Sequence, residues 1–154
     1  MIQRKQTLFL LAALILTIVG MCLPVATFTP QGMGTNVEVY NLWVKGNQAS
    51  LDFSVAPLFV LLLISCPLNV LAIFMYKNRI LQARLCLTCM LLLLLYCVAY
   101  GYYCFMGGID AVSTMNYHMG WATCCPPISF ILYAMARQGV LADEKLVRSM
   151  DRIR

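Results

Sequence analysis

Ten of the eleven Lys and Arg residues fall in three short clusters, and four long apolar runs are threaded between them. A helix of roughly 20 apolar residues crosses a bilayer core about 30 Å thick. Lys and Arg collect on the cytoplasmic side of such spans. The pattern predicts an all-α integral membrane fold with four transmembrane helices, over 7–27, 55–76, 85–105 and 117–135. The basic residues expected inside are Arg4, Lys5, Lys77, Arg79, Arg84, Arg137, Lys145, Arg148, Arg152 and Arg154; only Lys45 is expected outside. Both termini are therefore expected in the cytoplasm, with the loop 28–53 exported.

Composition supports a membrane class. Of 154 residues, 62% are hydrophobic and only 11% are charged, against about 25% charged in a soluble domain. Four spans would use nearly the whole chain, so residues 1–154 read as one domain. The net charge of +5 is carried in groups flanking apolar runs. That distribution points to anionic lipid headgroups on the cytoplasmic side, not to nucleic acid.

The loop 28–53 is the long polar stretch. Val37 and Val39 alternate with Asn36, Glu38 and Tyr40, and Lys45-Gly46-Asn47-Gln48 has turn chemistry. A small exported β-hairpin is expected there, with Tyr40 and Trp43 near the headgroups. In the second span Pro57 suits a first helical turn. Pro67 is expected to kink the helix, and Asn69 to make a polar contact with another helix. Pro126-Pro127 is expected to kink or break the fourth span. The tail 137–154 carries Leu146, Val147, Met150 and Ile153 on one stripe, with Lys145, Arg148 and Arg152 off it. It reads as a cytoplasmic amphipathic helix that lies along the inner leaflet or extends the fourth helix.

Three stretches resemble a known family. They are the opening Met1-Ile2-Gln3-Arg4 with Gln6-Thr7, the loop from Tyr76 to Cys86, and the tail Asp143 to Ser149 with Asp151 to Arg154. Together they resemble domain of unknown function 4293, a membrane-protein family of Bacteroidota. The resemblance implies a four-helix inner-membrane protein with an exported loop after the first helix, and it implies no activity. Pro126-Pro127 and Gly139-Val140-Leu141 depart from the family's usual pattern.

No residue set names a reaction, and no catalytic residue, metal site or cofactor is expected. Cys86-Leu87-Thr88-Cys89 is a C-x-x-C at an expected helix start, where a thiol would be activated. Its expected cytoplasmic location is reducing, and the exported segments hold no second pair to relay electrons. The eight cysteines lie in or beside apolar runs, where free Cys acts as a small hydrophobe. Cys124-Cys125 with His118 lacks the four ligands of a structural zinc site. The candidate site is instead a charged cytoplasmic face: Tyr76, Lys77, Asn78, Arg79 and Arg84 from the inner loop, and Asp143, Glu144, Arg148, Asp151 and Arg152 from the tail. The three acids are expected to turn toward basic side chains.

The leading expectation is a non-enzymatic accessory or assembly component of the inner membrane, with an unidentified membrane-protein partner. The alternative is small-molecule or lipid binding, or transport, in a proline-kinked cavity near Asn69. A membrane thiol-redox enzyme at Cys86 and Cys89 ranks last.

Overall fold

In the computed structural model, residues 3–30, 36–45, 51–76, 78–105 and 115–151 are described. Four helices, α1 (Gln3–Cys22), α2 (Ala56–Phe74), α3 (Arg79–Phe105) and α4 (Cys125–Asp151), form an antiparallel bundle. Each helix packs on two neighbours, in the cyclic order α1, α2, α3, α4. Five strands gather at one end: β1 (Ala26–Pro30), β2 (Val37–Val39), β3 (Val44–Lys45), β4 (Leu51–Asp52) and β5 (Met115–Met119). Their order in the sheet is β4-β3-β2-β1-β5, antiparallel throughout.

Two expectations are corrected here. The chain is not all-α, and among the described residues two helices, not four, are long and apolar enough to cross a membrane. These are α2, over Ala56–Phe74, and α3, over Arg79–Cys104. The apolar part of α1, Gln6–Cys22, is shorter. Helix α4 carries Arg137 in its middle and Asp143, Glu144, Lys145 and Arg148 beyond it, so it has no continuous apolar span. Only 28% of the α2 stretch and 22% of the α3 stretch is buried inside the molecule. A core helix of a soluble protein would be mostly buried; these present apolar side chains outward.

The boundaries also move. The run 7–27 divides into α1 and the first residues of β1. Residues placed at the head of a fourth span form β5 instead, followed by a 3-10 turn at Trp121–Cys124. Pro126 and Pro127 fall in the first turn of α4, where a missing N–H leaves no hydrogen bond unmade. They start a helix and do not kink one. Of the two paths expected for the amphipathic tail, it takes the second and extends the last helix, since α4 runs unbroken to Asp151. Helix α2 continues through Pro67, and Pro57 lies in its first turn.

Strands β3 and β4 pair across the expected turn, with Val44 opposite Asp52 and Lys45 opposite Leu51. A second hairpin pairs β2 with β3, Glu38 opposite Lys45 and Val39 opposite Val44; its turn runs over Tyr40–Trp43, closed by the Tyr40 N–H donating to the Trp43 carbonyl at 2.9 Å. The Gly46–Gln48 turn lies outside the described residues. A lone hairpin is marginal in water. Here β1 pairs with both β2 and β5, and Val37, Val39, Val44, Ala26 and Phe28 are buried in the same core as the helices.

Gly120 closes the joint between β5 and α4. Its N–H donates to the Val25 carbonyl at 2.9 Å. A Cβ there would stand 2.5 Å from the Pro24 carbonyl oxygen, so only glycine fits. The Thr123 hydroxyl donates to the same Val25 carbonyl at 2.6 Å.

Asn41 pins the sheet to the bundle. It is 1% exposed. Its amide donates to the Gly20 carbonyl at 2.6 Å, and the Tyr96 hydroxyl donates to its Oδ1 at 2.7 Å. One side chain in the β2–β3 turn thus ties α1 to α3.

Candidate functional site

The end of the bundle opposite the sheet is built by the start of α1, the α2–α3 connection and the last turns of α4. Asp143 is the meeting point. The Gln6 side chain of α1 donates to its Oδ2. Arg79, at the first turn of α3, donates from Nη1 to its main-chain carbonyl at 3.3 Å. Gln6 lies against Gly139, where a Cβ would stand 3.1 Å from the Gln6 Cγ. A larger residue at 139 would push the Gln6 side chain away from Asp143.

Beside this junction lies a groove of about 670 Å³ between the start of α3 and the end of α4. Asn78, Arg79, Arg84, Glu144 and Arg148 supply its polar lining, and Ile80, Leu81 and Val147 its apolar lining. The Arg148 guanidinium pairs with Glu144 at 2.7 Å across one helical turn. Such exposed i,i+4 pairs contribute only about 0.3–0.5 kcal/mol, so Arg148 is held loosely. A second hollow of about 520 Å³ runs along Leu141, Lys145 and Ser149 on the same helix.

The structure brings Asn78, Arg79, Arg84, Glu144 and Arg148 to one groove and places Asp143 behind it. Tyr76 is exposed beside Gln6, Thr7, Arg79 and Gln82. Lys77, Arg152 and the side chain of Asp151 lie outside the described residues. Of the three acids, Asp143 and Glu144 are described, and their carboxylates pair elsewhere than with the inner-loop arginines. Asp143 meets Gln6 through its carboxylate, and Glu144 meets Arg148 of its own helix. Asn69 is fully buried and donates to the Leu10 carbonyl at 3.0 Å, while its Oδ1 has no partner among the described residues.

Gln6 and Gln82, 7% and 4% exposed, are functional neighbours that sequence reasoning passes over. Gln6 reads as part of a polar start before an apolar run. Its contact with a residue 137 positions away has no local signal. Asn41 is similarly hidden in a turn.

Cys86 and Cys89 are fully buried free thiols. Helix α3 begins at Arg79, so the pair sits beyond the first turn, out of reach of the partial charge at a helix N-terminus. The activation argument for a redox pair loses its basis. Among the described residues no three His, Cys, Asp or Glu side chains gather as a metal-binding group. At the sheet end, Tyr40 donates to Glu38 Oε2 at 3.1 Å. Burial first, and then the Glu38 carboxylate, raises the Tyr40 phenol above its ordinary value.

The model of one family, described as a domain of unknown function (DUF4293), matches residues 2–153. The chain belongs to the DUF4293 family. The match takes in both the sheet and the basic end, so the whole architecture described here falls within the DUF4293 unit. No curated protein matches the chain.

Proposed function

We propose that this protein is a non-enzymatic component of a bacterial inner membrane that serves as an accessory or assembly subunit for a membrane-protein partner. The bundle stands with its sheet on the outer side. Both termini and the basic groove are in the cytoplasm. The observation that carries this reading is the division of the surface. Helices α2 and α3 are apolar over membrane-spanning length and mostly exposed. A folded sheet caps one end, and Arg79, Arg84 and Arg148 converge at the other. Arginine on one side of apolar helices is the arrangement that sets orientation in a membrane.

The groove and the sheet are built surfaces at opposite ends of a rigid core, which suits a subunit that holds a neighbour in place. Affinity purification of the full chain in mild detergent, followed by mass spectrometry, tests the reading. A stoichiometric membrane protein that is lost on reversing Arg84 and Arg148 to Glu supports it. Turnover of a small molecule by the purified chain would contradict it.

A further inference from the structure

We infer that the groove between α3 and α4 binds the phosphate of one anionic phospholipid, with an acyl chain lying along α3. The inference rests on the proposed orientation and names a ligand for the same site. Three arginines face the groove against one carboxylate, Glu144. Arg79 is committed to the Asp143 carbonyl. Arg84 is exposed, and the side chain of Arg148 is 72% exposed and paired with Glu144 of its own helix. Arg84, and Arg148 on leaving that weak exposed pair, can grip a phosphate, whose oxygens match the fork of a guanidinium.

A second observation selects a lipid over a free anion. Ile80, Arg84, Leu87, Leu91, Leu94 and Val98 recur at three- and four-residue spacing on α3, which places them on one stripe. Every one of them is exposed, Leu91 at 59% and Val98 at 62%. The stripe runs from the basic groove up the helix without a charged residue after Arg84. A headgroup at Arg84 therefore leaves an acyl chain lying on continuous apolar surface. An inorganic phosphate would use the arginines and leave the stripe bare.

Native mass spectrometry of the full chain in neutral detergent tests this, with phosphatidylglycerol, phosphatidylcholine or inorganic phosphate added. The expected result is one phosphatidylglycerol retained per chain, and neither phosphatidylcholine nor phosphate retained at equal concentration. Each neutralised arginine should weaken binding about fivefold, so R84Q with R148Q should weaken it roughly 25-fold. The paired change to Lys, which keeps the charge, should weaken it less. Equal retention of phosphatidylcholine, retention of phosphate, or unchanged binding in the Gln pair would each overturn the inference. If the Gln pair does not fold, the three wild-type arms decide alone. Failure here leaves the co-purification test untouched, and a chain without a protein partner would still show lipid binding.

Discussion

Gln6 donates a hydrogen bond to the carboxylate of Asp143, tying the first helix to the last at the basic end of the bundle. Gln6 is 7% exposed, so removing its partner leaves a polar group short of both protein and water. Asp143→Ala should lower stability by about 1–3 kcal/mol, read as a fall in the midpoint of denaturation in detergent. Gly139→Leu should do the same by displacing Gln6. A midpoint unchanged in both variants would mean that this contact contributes nothing to the fold.

The second prediction concerns the pin between sheet and helices. Tyr96→Phe deletes the hydroxyl that donates to Asn41 Oδ1 and leaves that buried oxygen unpaired. The expected cost is about 1–3 kcal/mol. Asn41→Ala should cost as much or more, because the Gly20 carbonyl then loses its donor too. A double-mutant cycle should show the two changes to be less than additive. Strict additivity would separate the residues energetically.

Gly120 allows a steric prediction. Its added Cβ would meet main-chain atoms of Pro24 and Val25, which cannot swing aside as a side chain can. Gly120→Ala should therefore destabilise the β1–β5 joint by about 1–3 kcal/mol, and should expose the sheet end to limited proteolysis first. Wild-type resistance to protease would argue against the close approach.

The thiols sort by burial. Cys22 and Cys124 are exposed, whereas Cys86 and Cys89 are fully buried. A polar maleimide should modify Cys22 and Cys124 in the folded protein and reach Cys86 and Cys89 only after denaturation, as read by peptide mass. Replacing Cys86 and Cys89 with Ala should leave any cellular phenotype intact while costing some packing energy. Prompt labelling of the native C-x-x-C pair would reopen a redox reading.

What the sequence made legible followed from local pattern. Helix α2 sits close to its expected bounds, because the apolar run from Val55 and the proline at Pro57 are contiguous signals. Strand β2 showed in the alternation of Val37, Glu38 and Val39, and the β3–β4 pairing in the turn chemistry of Lys45-Gly46-Asn47-Gln48. Where the outcome hung on distant partners, the sequence was silent. Residues 117–119, expected at the head of the fourth span, join a strand because β1 offers them an edge. The length test also separates the four apolar runs. Thr7 to Thr27 looks continuous on paper, but Pro24 and the pairing of Ala26 with Val39 end the helix at Cys22. The last run, 117–135, gives its head to β5 and the 3-10 turn, so α4 has only residues 125–136 before Arg137 and the charges after it, although the helix itself continues. Part of the basic face was visible as clustered charge. Its organisation around Gln6 and Asp143 was not, since hydrogen bonds across 137 positions leave no periodicity.

The proposed topology puts the sheet and the basic groove on opposite sides of a membrane. Cysteines introduced one at a time at His118, exposed on β5, and at Ser149, exposed near the end of α4, test it most directly. Spheroplasts would be treated with a membrane-impermeant maleimide and the sites read by peptide mapping. His118→Cys should be labelled in intact spheroplasts and Ser149→Cys only after lysis. Labelling of both positions in intact spheroplasts, or of Ser149→Cys alone, would contradict it.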